Sequence, residues 1–207
     1  MRKSVAVIVA HPDDETLWAA GTILTEKFED CFILSLCRLS DTDRSPKFFR
    51  VLDEWGASGA MADLDDGPEQ LSLDEELITS TILSHLPRLS FDMIYTHSPA
   101  GEYTRHKRHE EIGRTVLNLW ISGRLRSQEL RLFAYEDRNK STLPKSISSA
   151  PVQCRLDQEI WQKKYRIITD IYGFNKDSFE ARTTPEQEAF WQFTSTTQAA
   201  EWLKKDI

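Results

Sequence analysis

His11-Pro12-Asp13-Asp14-Glu15 places an imidazole and three carboxylic acids within five residues, directly after an apolar run. His11 and Asp14, three residues apart on a tight turn, can offer one ring nitrogen and one carboxylate oxygen to a single metal ion, and Asp13 is then left over. A carboxylate beside a metal-bound water, at a helix N-terminus that favours its ionised form, is a candidate general base. A turn whose acids only cap the following helix accounts for one aspartate. It does not account for a histidine, a proline and three consecutive acids together.

A second group runs from Gly101 to Glu111. His106 and His109 stand three residues apart at the start of a predicted helix and so share a face. One can ligate a metal while the other points at a substrate, and the positive end of the helix lowers the pKa of both. Added to His11 and Asp14, one more histidine makes three protein ligands with a fourth position open, the catalytic arrangement for Zn²⁺. Two histidines and an aspartate also accept Fe²⁺, Co²⁺ or Ni²⁺. Arg105, Lys107, Arg108 and Arg114 form a cationic cluster beside these histidines. Cations gain nothing at a helix N-terminus, so Arg105 and Arg108 are expected to meet an anionic part of a small-molecule substrate, such as a phosphate or uronate. His97 is expected to support the site rather than ligate, and His85 to be structural.

The elements that must carry these residues alternate along the chain. Short apolar runs at 4–10, 31–37, 59–63, 91–97, 130–135 and 152–156 read as strands, and segments of helical period lie between them. Helices are expected at about 15–28, from Ser45-Pro46 to Gly56, from a capping box at Ser72 to about His85, at 106–122 and at 157–172. This is an α/β pattern with a mostly parallel sheet. Both chemical stretches follow strands, at the carboxyl edge where open α/β sheets bind ligands. Residues 173–207 carry Phe174, Phe179, Phe190, Trp191, Phe193 and Trp202 and are expected to pack over the sheet edge or a cleft.

The 207 residues are expected to form a single domain, 1–207, large enough to bury roughly 70% of the unfolded surface. With 33 acidic against 26 basic side chains the net charge is −7, which argues against a general nucleic-acid or anionic-membrane binder. Three scattered cysteines, none in a CxxC pair, suit a reducing cytoplasm and leave any metal to histidine and carboxylate. No apolar stretch approaches the ~20 residues of a transmembrane helix, and the short run after Met1-Arg2-Lys3 reads as a strand rather than a signal peptide. None of the eight glycines forms GxGxxG or a P-loop, which disfavours a nucleotide site.

The His-Pro-Asp-Asp-Glu turn after a first apolar strand, with HxxH opening a later helix, resembles the LmbE/PIG-L family of zinc-dependent de-N-acetylases acting on N-acetylglucosamine-type substrates. The resemblance covers roughly the first 170 residues and implies a Rossmann-like three-layer fold. It also implies zinc on His11, Asp14 and His109, Asp13 as general base, and His106 as oxyanion stabiliser or acid. The tyrosine that polarises the amide carbonyl in family members would then have its counterpart in Tyr103, or its place would be taken by Thr104 or Arg105. Where many members have Pro-Asp between the two histidines this chain has Lys107-Arg108, so Glu110 or Glu111 is expected to take over the orienting task. The function implied is removal of an N-acetyl group from an amino sugar or its conjugate by zinc-activated water. The alternatives are a sugar-conjugate amidase or phosphoester-cleaving enzyme on the same metal site, and a non-catalytic sugar-binding protein.

Overall fold

The computed structural model describes residues 3–26, 28–103 and 106–204. Its elements are β1 (Ser4–Val9), α1 (Asp14–Glu26), β2 (Asp30–Ser35), α2 (Arg44–Trp55), β3 (Ser58–Met61), α3 (Glu75–His85), β4 (Ser90–Thr96), α4 (Lys107–Ile121) and β5 (Arg126–Phe133). Then follow β6 (Tyr135–Glu136), β7 (Lys145–Ser146), β8 (Val152–Arg155), α5 (Gln158–Arg166), a π turn (Ile167–Ile171), α6 (Phe179–Thr183), β9 (Gln187–Phe193) and α7 (Thr196–Leu203). All six expected strands are present. Two caps move: Asp43, not Ser45, stands at the N-cap position of α2, and Asp74, not Ser72, caps α3 by accepting from Glu76 N at 2.8 Å and Leu77 N at 3.2 Å. The helix expected at 157–172 ends at Arg166, where the backbone widens into the π turn.

Seven strands form one sheet in the order β3-β2-β1-β4-β5-β9-β8. The pairs from β3 to β5 are parallel, while β9 joins β5 and β8 antiparallel. The strand β1 shows why the sheet is covered on both sides. Its residues alternate by face, Ala6 and Ile8 packing with Ile78, Ile112 and Val116 of α3 and α4, and Val5, Val7 and Val9 with Leu17, Phe48 and Ile167 of α1, α2 and the π turn. A strand buried on both faces reads as an unbroken apolar run. The result is the three-layer α/β architecture expected, with a mostly parallel sheet.

Strand order reverses between β1 and β4, so the loops leaving these two strands diverge to opposite faces and open a crevice at the carboxyl edge. The first carries His11 to Glu15, the second His97 to His109. Gly113 lets α4 close on that edge: a Cβ there would stand 2.5 Å from the His97 carbonyl oxygen.

The aromatic tail reaches the cleft as expected, but instead of lying over the sheet edge it supplies a strand, β9, between β5 and β8. Trp191 and Phe193 of β9 pack into the sheet, and α6 brings Phe179 to the crevice. The strand β9 also sends Glu188 into the core. Its carboxylate accepts from Gly21 N (2.9 Å), Thr22 N (2.7 Å) and Thr22 Oγ1 (2.6 Å) on α1, and from Lys164 Nζ (2.6 Å) on α5.

Candidate metal centre and pocket

Asp14 is the first residue of α1, and its two oxygens are separated by function. Trp18, one turn later, donates its indole N–H to Oδ1 at 3.0 Å. The other oxygen, Oδ2, accepts from the His11 amide at 2.9 Å and faces His11 Nδ1 at 3.2 Å and His109 Nε2 at 3.3 Å. His11 Nδ1 and His109 Nε2 are themselves 3.2 Å apart. Three donor atoms at these mutual separations match the ~3.4 Å edges of a tetrahedron with metal–ligand bonds near 2.1 Å.

The far side of each imidazole agrees with that use. His109 Nδ1 donates to Glu102 Oε2 at 2.6 Å, which leaves a lone pair on Nε2. His11 Nε2 lies 3.1 Å from Asp66 Oδ2 without forming a hydrogen bond, and its Nδ1 is the nitrogen that faces Asp14 and His109. His97 supports from behind: its ring stacks on His109 at 3.9 Å, its Nδ1 faces Glu102 Oε2 at 3.0 Å, and its Nε2 accepts the Ala10 amide at 2.9 Å. Burial would raise the Asp14 carboxyl, but the facing His109 and His97 outweigh it and hold it well below the usual range. Glu102 is likewise held at about 2, against its burial, by His97 and His109.

Glu102 is therefore the orienting carboxylate, in place of the Glu110 or Glu111 expected. Glu111 instead pairs with Arg108 and accepts from Leu73 N at 3.2 Å. Arg108 is turned away from the crevice and fully buried, with Nε on the Asp65 carbonyl and Nη2 on that of Leu71. Its expected contact with a substrate anion is thus corrected to a structural role, because its donors are used inside the fold. Arg105 lies outside the described residues.

Asp13 stands beside the triad in a conformation that only a held residue keeps. Its φ is 128°, a region that costs a non-glycine residue ~1–3 kcal/mol. Its amide donates to Glu15 Oε2 at 3.0 Å, and its Oδ2 accepts from Arg44 Nη1 at 3.0 Å. Burial and the adjacent Asp14 push its carboxyl up to about 8, against the pull of Arg44. His106 is stacked on His109 at 4.3 Å, and its Nδ1 is buried without a partner among the described residues. Burial and the neighbouring His109 and His11 push this imidazole down to about 3, which makes it neutral.

Asp13, Arg44 and His106, with His11 and Asp14, line a pocket of about 370 Å³. Tyr103 and Phe179 form an aromatic side of it, their ring centroids 5.1 Å apart. Arg38, Asp41, Arg44, Asp66 and Glu180 complete its polar rim. None of these five was singled out from sequence. Arg38, Asp41, Arg44 and Asp66 follow the ends of β2 and β3, so the carboxyl-edge rule that singled out His11 applies to them too; Trp18 is marked by its i+4 spacing from Asp14. Glu102 lies within the second chemical stretch after β4, where the same rule applies, and for Glu180 no local signal exists. No helix among the described residues is long and apolar enough to cross a membrane.

No protein-family profile matches the chain, and no curated protein matches it in sequence. Solved structures do match its fold. One is N,N'-diacetylchitobiose deacetylase from Pyrococcus horikoshii, at TM-score 0.67 and 13% identity over 93% of this chain and 84% of that one. Another is the A40926 pseudoaglycone deacetylase Dbv21, at TM-score 0.61 and 15% identity over 94% and 98% of the two chains. GalB, the 4-carboxy-2-hydroxymuconate hydratase of Pseudomonas putida KT2440, matches at TM-score 0.58 and 12% identity over 93% and 97%. The chain is built on the fold of the LmbE/PIG-L-type deacetylases.

Proposed function

We propose that the protein is a zinc-dependent hydrolase that removes an N-acetyl group from an N-acetylglucosamine-type amino sugar or its conjugate. The observation that carries this reading is the convergence of His11 Nδ1, Asp14 Oδ2 and His109 Nε2 within 3.2–3.3 Å of one another, with His11 and Asp14 lining a pocket that Asp13 and His106 also line. Zinc held there, or another divalent transition metal, would supply Lewis acidity toward an amide carbonyl and a water molecule.

Asp13 in its ionised form, which Arg44 favours and which a cation held beside it would favour further, takes a proton from the attacking water as the oxygen bonds to the acetyl carbon. His106, neutral and facing the same space, donates a ring N–H to the carbonyl oxygen as negative charge builds there. Tyr103 closes the side of the pocket and orders the acetyl group against Leu17 and Phe179. The protonated Asp13 then gives its proton to the nitrogen as the C–N bond breaks, releasing acetate and a free amine. Among the described residues the pocket carries Asp13, Asp14, Asp41, Asp66 and Glu180 against Arg38 and Arg44, and each of these arginines is already held by a carboxylate. This balance favours an uncharged sugar over a phosphate or uronate.

The fold shared with a hydratase supports a second reading, addition of water to a carbon–carbon double bond. Elemental analysis of the purified protein, followed by an acetate-release screen over N-acetylglucosamine conjugates, decides between them. Bound metal with acetate release is expected. Metal without acetate release from any conjugate points to the second reading, and a metal-free protein that releases none overturns both.

A further inference from the structure

Asp13 is strained, and the groups that hold it in place lead to one short segment far along the chain. Its amide donates to Glu15 Oε2 at 3.0 Å. Glu15 is fully buried, and its other oxygen is fixed by two hydroxyls, Thr16 Oγ1 at 2.6 Å and Tyr172 Oη at 2.7 Å. Thr16 is local to the turn; Tyr172 is 157 residues away in sequence. It follows the π turn, whose extra residue is closed by the Tyr172 N–H on the Ile167 carbonyl at 2.9 Å.

The carboxylate of Asp13 is tied to the same place. It accepts from Arg44 Nη1 at 3.0 Å, and the Arg44 guanidinium lies over the Phe174 ring, 4.4 Å from its centroid. Arg44 also donates to the Pro12 carbonyl at 3.3 Å, so it grips the turn on both sides of the Asp13 amide. Between Tyr172 and Phe174 the chain reverses at Gly173, with φ at 79°, which an L side chain rarely adopts.

We propose that the turn Tyr172-Gly173-Phe174 is the positioning element of Asp13, Tyr172 setting its backbone through Glu15 and Phe174 setting its carboxylate through Arg44. This rests on the reading of Asp13 as general base. It gives the π turn a purpose. A regular helical continuation would rotate the next residue by about 100° and turn the Tyr172 hydroxyl off Glu15. Neither Tyr172 nor Phe174 lines the pocket, so both act through the residues they hold.

The test is Tyr172→Phe, which removes one oxygen and keeps the ring in the core. In its crystal structure Asp13 is expected to leave its positive φ or to break the bond to Glu15. In kinetics with the metal-loaded protein, kcat is expected to fall about ten- to a hundred-fold with KM and metal stoichiometry unchanged. Phe174→Leu is expected to lower kcat in the same way. Ser127→Ala, which removes the hydroxyl accepting from Trp120 Nε1 at 2.9 Å at the far edge of the sheet, serves as a stability control and is expected to leave kcat unaltered. Unchanged Asp13 geometry in Tyr172→Phe overturns the proposal, whatever the reaction is. So does a kcat within two-fold of an active wild type. Absence of acetate release by the wild type counts against the deacetylase reading alone, and the crystallographic result still judges the role of Tyr172.

Discussion

Glu102 and His109 form the shortest hydrogen bond at the candidate metal centre among the described residues, 2.6 Å from ring Nδ1 to carboxylate Oε2, and both side chains are fully buried. The same oxygen faces His97 Nδ1 at 3.0 Å, so one carboxylate fixes the tautomers of two stacked rings. Glu102→Gln keeps the shape but loses the charge. It is expected to weaken metal binding ~10- to 100-fold, measured as a dissociation constant by chelator competition.

Asp13 and His11 separate catalysis from metal binding. Asp13→Asn is expected to retain the metal at wild-type stoichiometry and lose ~10²–10⁴-fold in acetate release. His11→Ala is expected to lose both. Elemental analysis alongside initial rates checks the pair, and full turnover by Asp13→Asn would remove the base assignment.

The buried pair of Lys164 and Glu188 clamps α5 and β9 onto the middle of α1. Burial lowers the Lys164 pKa, and Glu188 opposes this at 2.6 Å. Lys164→Met leaves Glu188 charged in the core with only α1 to satisfy it, and is expected to cost about 3–5 kcal/mol. Urea unfolding reads this directly. The double variant with Glu188→Leu is expected to cost less than the sum of the single changes, because no lone charge is left behind.

At the opposite edge of the sheet, Asp92 of β4 accepts from the Ser4 amide at 2.8 Å and the Ser4 hydroxyl at 3.0 Å. These bonds hold its carboxyl below the ordinary value in the folded protein. A depressed folded pKa means that the unfolded chain binds the proton first on acidification. The stabilisation is therefore complete above the unfolded pKa of about 3.9 and is lost as pH falls through it toward the folded value. The difference in unfolding free energy between wild type and Asp92→Asn is expected to shrink between about pH 5 and pH 2, measured by urea titration at each pH.

Much of this protein is written locally. The apolar run Ser4–Val9 reads as a strand buried on both faces, and His11 to Glu15 just beyond it read as a candidate metal turn by composition alone. His106 and His109 declare a shared face by spacing, and the carboxyl-edge rule brings both groups to one crevice. Tertiary structure decided what spacing could not. Glu102 sits in an irregular loop with no period to mark it, so its selection over Glu110 and Glu111 as the partner of His109 depends on how α4 packs at Gly113. Arg108, which by sequence belongs beside the substrate, is drawn into the fold because backbone carbonyls at Asp65 and Leu71 meet its donors. The conformation of Asp13 depends on Tyr172 and Phe174, and the middle of α1 on Glu188, across more than a hundred intervening residues. Periodicity and composition report which side chains must be buried or are able to react. The partner that each buried polar group finds is set only when distant segments close on one another, because every such group must be satisfied at once in a space that water has left.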